Sequence, residues 1–84
     1  MRKDVCLHED DMILGYKKND RITVEVNHNP KAGSLVVIQT GEHYFLCRYE
    51  NIEGKKYLWP PRGLEASEYD EVIVGEAVEL SRSL

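Results

Sequence analysis

The apolar positions along this chain follow the period of strands and not of helices. Arg21-Ile22-Thr23-Val24-Glu25-Val26 alternates strictly, with Ile22, Val24 and Val26 on one face and Arg21, Thr23 and Glu25 on the other, as in a half-buried strand. Leu35-Val36-Val37-Ile38 is a continuous, largely β-branched run, which predicts a strand covered on both faces. Tyr44 to Glu50 predicts a third strand, with Phe45, Cys47 and Tyr49 alternating against Tyr44, Leu46 and Arg48. Thr40-Gly41-Glu42 predicts a tight hairpin before it, and Asn51-Ile52-Glu53-Gly54 a second one leading into Lys56-Tyr57-Leu58-Trp59. Pro60-Pro61 ends that strand, because proline cannot donate to a ladder. Glu71 to Leu80 predicts a last long strand, in which Gly75 marks a bend or bulge. Leu64 to Glu71 has room for one helical turn but lacks the period of a long helix.

Five or six short strands predict an all-β fold with little or no helix, a small curled sheet or partly open β-barrel. With 84 residues, the chain has the size of a single domain over residues 1–84, with a polar, solvated N-terminal arm at 1–10 and a core at 11–80. No apolar stretch approaches the ~20 residues of a membrane helix. The acids that follow the first residues are unlike the apolar segment of a signal peptide. Two cysteines, Cys6 and Cys47, are too few for a disulfide scaffold and predict a reduced, cytoplasmic protein. The formal net charge of −4 and the acids between Glu65 and Glu79 argue against direct nucleic-acid binding. No phosphate loop, dinucleotide fingerprint or paired-cysteine motif is present, so no cofactor is expected.

Three groups of residues could carry chemistry. Cys6-Leu7-His8-Glu9-Asp10-Asp11 gathers a thiol, an imidazole and three carboxylates, all metal-ligand types, but at no established metal spacing, so a solvated arm is expected instead. Cys47 could act as a nucleophile with His43 or His8 as its base. His43, however, lies four residues along the same strand, ~13 Å away, and Cys47 keeps phase with Phe45 and Tyr49, which predicts an inert core thiol. Tyr44, Phe45, Tyr49, Tyr57 and Trp59 lack the interleaved bases of a nucleobase-stacking platform and are expected to pack the core or pair across strands. His28, in a turn, is assigned no role.

The order of motifs resembles the peptidase domain of the LexA/UmuD family. Asp11 to Val24 is similar to the segment that opens that domain, with Met12, Asp20, Ile22 and Val24 on matching positions and Asn19 in place of a glycine. Asparagine suits that swap because it tolerates a left-handed backbone. Pro30 to Val37, Thr40-Gly41-Glu42, Leu46 to Tyr49, Leu58-Trp59-Pro60 and Ile73 to Val78 look like successive later motifs of the family. The family cleaves its own chain with a Ser-Lys dyad, in which a neutral lysine takes the serine's proton. Here the serine position is Asp11, and the lysine position is Cys47 or, aligned on the hairpin, Leu46. No glycine precedes Asp11 to complete the family's scissile bond.

The resemblance therefore implies a catalytically inactive, peptidase-like domain that acts through contacts, in SOS-response or phage and plasmid regulation. It implies a homodimer or a regulatory protein partner, with no direct contact to nucleic acid or membrane. The last strand is the expected dimer edge, through Val72, Val74, Glu76, Val78 and Leu80. Two alternatives remain open at this point: an unrelated small β-barrel adaptor, and a peptidase-like enzyme with Cys47 as nucleophile.

Overall fold

The computed structural model describes residues 1–10, 14–27 and 29–81. Asp11, Met12 and His28 lie outside the described residues. The elements are β1 (Arg2–Cys6), β2 (Arg21–Val26), β3 (Leu35–Thr40), β4 (His43–Ile52), β5 (Lys55–Trp59), a 3-10 turn (Ala66–Glu68), α1 (Tyr69–Val72) and β6 (Ile73–Ser81). The fold is all-β, as the periodicity predicts. All six strands join one antiparallel sheet in the order β1-β2-β6-β3-β4-β5, which does not close into a barrel. A bridge between Leu7 and Tyr44 ties the end of β1 back toward β4 and curls the sheet.

Both hairpins follow from their turn residues. Thr40 faces His43 across Gly41-Glu42, and Gly41 takes φ +62°, the left-handed conformation that such two-residue turns require. Ile52 faces Lys55 across Glu53 and Gly54, with φ of +52° and +82°, the pattern of a type I′ turn. Asn19 likewise adopts φ +71°.

The two faces of the sheet carry separate apolar clusters. Ile22 and Val24 of β2 join Val5, Leu7, Val37 and Leu46 on one face. Val36, Ile38, Cys47, Tyr49, Leu58 and Ile73 form the other, capped by Tyr69 of α1. The β3 run divides between them, Val36 and Ile38 one way and Val37 the other, so that strand is covered on both sides as its unbroken apolar character predicts.

Two expectations are corrected. The segment taken as a solvated arm contains strand β1, paired with β2 from Arg2↔Glu25 to Cys6↔Arg21. Val5 and Leu7, two residues apart, turn to one face and are buried, and this apolar pair outweighs the charged residues around it. The last strand is not an edge. β6 lies between β2 and β3, so Val74 and Glu76 sit inside the ladder, and Val72 belongs to α1. Val78 and Leu80 run beside β2, with Leu80 opposite Ile22.

The physical reason lies at Gly75, which pairs with Val26 on one side and Val37 on the other. A Cβ there would collide with the Glu25 carbonyl oxygen and lie 2.8 Å from the Glu25 carbonyl carbon and 2.9 Å from Val26 Cα. Only glycine lets β2 approach this closely. The register shifts on both sides of β6, leaving Val78 as the extra residue against β2 and Val74 as the extra residue against β3. These bulges bend the strand to fit two neighbours.

Gly75→Ala is accordingly expected to lower stability by about 1–3 kcal/mol, seen as a lower urea midpoint at unchanged m-value. A variant as stable as the parent contradicts the close approach. The side chain of the same Glu25 accepts hydrogen bonds from the Met1 ammonium and from Arg2 Nε, each at 3.2 Å. The ammonium contributes most to holding the Glu25 carboxyl below its ordinary value of 4.5, and Arg2 adds to it. A carboxylate whose folded value is depressed stabilises the fold above its unfolded value, and that stability is lost as pH falls through the lower folded value. Amides of β1 are therefore expected to lose protection relative to β3 as pH drops below 4.5, and Glu25→Gln should remove that dependence. Equal pH dependence in both variants contradicts the role given to Glu25.

Candidate functional site

Of the positions singled out by the resemblance, Cys47 and Leu46 are both buried. Cys47 is fully buried, and its Sγ lies 3.4 Å from the Pro60 carbonyl oxygen as a donor. Leu46 is buried on the opposite face of the same strand. Asp11 lies outside the described residues. A thiol sealed between Val36, Ile38, Tyr49 and Leu58 cannot reach a substrate carbonyl, which fits the core role its alternation predicts.

His43 instead meets His8. Their rings stack at 3.6 Å between centroids, 24° from parallel. Phe45 presents an edge contact to His8 at 5.6 Å, and the Arg62 guanidinium lies over Phe45 at 4.6 Å. Arg62 also forms an ion pair with Glu9 and donates to the Leu46 carbonyl at 3.4 Å. This layered set clasps the end of β1 to the start of β4, beside the Leu7 bridge. A cleft of about 190 Å³ adjoins it, bordered by Cys6, His8, Asn19 and His43.

The same contacts employ the acids once considered as metal ligands. Glu9 is held by Arg62, and Asp10 Oδ1 accepts the Lys18 amide at 2.7 Å. Among the described residues no group of three or more His, Cys, Asp or Glu side chains is arranged to hold a metal ion. No helix among them is long and apolar enough to cross a membrane.

The surface that stands out is on β4 and β5. Tyr57 is 46% exposed, Trp59 55% and Ile52 57%. The register places Trp59 opposite Arg48, Tyr57 opposite Glu50 and Lys55 opposite Ile52, so these six side chains share one face. Of the five aromatics expected to pack the core or pair across strands, Tyr49 is buried and Tyr44 and Phe45 are half-buried, whereas Tyr57 and Trp59 are exposed and sit opposite Glu50 and Arg48. The cause is position in the sheet. β5 is last in the strand order, beyond the curl that covers the inner face, so alternation with buried Leu58 turns its odd-numbered residues outward. That alternation is legible in the sequence; the place of β5 at the edge is not.

The free side of β5 can be identified from the hairpin. A two-residue turn is closed by a hydrogen-bonded pair, here Ile52 and Lys55, and such pairs alternate with non-bonded ones along the ladder. Lys55, Tyr57 and Trp59 therefore turn their amide and carbonyl groups toward β4, and Lys56 and Leu58 turn theirs outward. Beyond this edge a groove of about 430 Å³ runs between Gly54–Tyr57 and Ala66–Ser67. On the other flank Lys56 Nζ donates to Asp70 Oδ1 at 2.9 Å, and this hydrogen bond raises the lysine's pKa.

Thiol labelling checks the placement of the two cysteines. Cys6 is exposed and Cys47 buried, so alkylation of the native protein is expected to modify Cys6 at the rate of a free thiol. Cys47 should react slower by a factor on the order of 10³ or more, as the fold opens. Fast alkylation of Cys47 would overturn its assignment as a sealed core residue. Comparison of the chain with family models, with curated proteins and with solved structures finds no match in any of the three.

Proposed function

We propose that this chain is a catalytically inactive, peptidase-like domain of LexA/UmuD type that works in the cytoplasm as a protein-interaction module, by dimerising or by engaging a regulatory partner. The observation that carries this reading is the open β5 edge, with outward-facing peptide groups at Lys56 and Leu58 and exposed Tyr57 and Trp59 beside them. Aromatic side chains supply much of the contact energy in protein interfaces. An unpaired edge strand also supplies backbone donors and acceptors to an extended segment of a partner. The dimer edge proposed from the resemblance thus moves from β6 to β5. Burial of Cys47 and Leu46 supports the inactive reading, since neither position can present a base to solvent.

Trp59 is the only tryptophan of the chain, so its emission reports directly on this surface. Linear peptides selected from a random display library are expected to bind the folded protein, shift that emission to the blue and lose binding to Lys56→Pro, which deletes an outward N–H. A selection that yields no peptide sensitive to Lys56→Pro contradicts the module. A covalent adduct with a fluorophosphonate probe, or self-cleavage fragments at pH ~7–10, contradicts catalytic inactivity.

A further inference from the structure

The β5 edge is self-complementary, and we infer that its occupant is a second copy of this chain, with the two β5 strands antiparallel about a two-fold axis through Tyr57. This inference rests on the interaction-module reading and specifies its partner and register. The outward peptide groups at Lys56 and Leu58 determine which register works. With Tyr57 opposite its symmetry mate as a non-hydrogen-bonded pair, Lys56 of each strand faces Leu58 of the other, and each of these two pairs exchanges both backbone hydrogen bonds. All four outward amide and carbonyl groups of each strand are then satisfied.

Neighbouring registers do worse. Centring on Lys56 sets two ammonium groups directly opposite each other, and like charges there are unfavourable. Centring on Leu58 brings Lys56 against Pro60, which has no N–H to donate. In the Tyr57 register, Lys55 instead meets Trp59 of the second copy, a cation over an aromatic face, and the two Tyr57 rings meet at the axis. The remaining charge at the edge, Lys56, is already paired with Asp70 on its own chain.

The other open edge does not share this property. β1 presents Arg2, Lys3 and Asp4 in succession, so a two-fold axis at Lys3 or at Asp4 opposes like charges. Runs of charge on an edge strand are a known defence against such pairing. Five residues of β5 on each side make a contact at the small end of protein interfaces, so the dimer is weak, with a dissociation constant on the order of tens of micromolar.

Cross-linking tests the register directly. A non-hydrogen-bonded antiparallel pair sets its Cα atoms about 4.5 Å apart, within disulfide range. In a Cys6→Ser background, which removes the exposed native thiol, Tyr57→Cys is expected to oxidise rapidly to a covalent dimer. Lys55→Cys in the same background should not, because its symmetry mate lies four residues away along the pair, ~13 Å. Sedimentation equilibrium of the unmodified chain, from about 1 µM to 1 mM, should show a monomer–dimer equilibrium that Lys56→Pro shifts toward monomer by tenfold or more. A dimer that is insensitive to Lys56→Pro, with no Tyr57→Cys cross-link, overturns pairing at β5. A strict monomer overturns self-association. In either case, linear peptides that still bind in a Lys56→Pro-sensitive way leave the module reading standing; their absence removes both.

Discussion

The whole sheet depends on the close approach of two backbones at Gly75. β6 reaches β2 there with no room for a side chain, and it pairs with β3 on its opposite side. A strand that is last in sequence thereby becomes a central strand, joining the β1–β2 ladder to the β3–β4–β5 ladder. Without that insertion the chain would hold two separate ladders, of which the two-stranded β1–β2 pair would be marginal alone. The bulges at Val74 and Val78 bring the local bend and added twist that go with the register shifts on the two sides of β6.

Much of the distribution of chemistry follows from this insertion. With β6 beside it β3 becomes an interior strand, as β4 is between β3 and β5, and Cys47 and Leu46 of β4 are enclosed on opposite faces of the sheet. The stacked His8 and His43 rings, with Phe45 and Arg62 behind them, hold the end of β1 against β4 where the sheet curls. With β6 internal, β1 and β5 are left as the edges. β1 is guarded by charge. β5 has one lysine neutralised by Asp70 and two exposed aromatic rings, a combination that suits contact better than avoidance.

The strands themselves were legible because their cause is local. Strict alternation located β2, the unbroken run located β3, and glycine-bearing turns located both hairpins. The helical turn after Pro61 is as short as its weak period implies. What the sequence does not carry is the order of strands in space, because that depends on pairing between distant segments. For this reason the sequence does not show that β6 is internal, nor which of the aromatics, Tyr57 and Trp59 among them, stay exposed at an edge. β1 was overlooked because only Val5 and Leu7 mark its buried face, among charged neighbours. Gly75 did signal something irregular, but a close backbone approach and a bend look alike in one sequence.

The central claim is that β6 fills the sheet and leaves β5 with one free side. Residue-resolved amide hydrogen exchange of the dilute, monomeric protein tests it most directly. The amides of Lys56 and Leu58 should exchange at nearly solvent rates while Tyr57 and Trp59 between and beside them are protected, and Val74 to Glu76 of β6 should be among the slowest in the chain. Protection at Lys56 and Leu58 in the monomer, or rapid exchange through the middle of β6, would contradict the topology on which the proposed interaction surface rests.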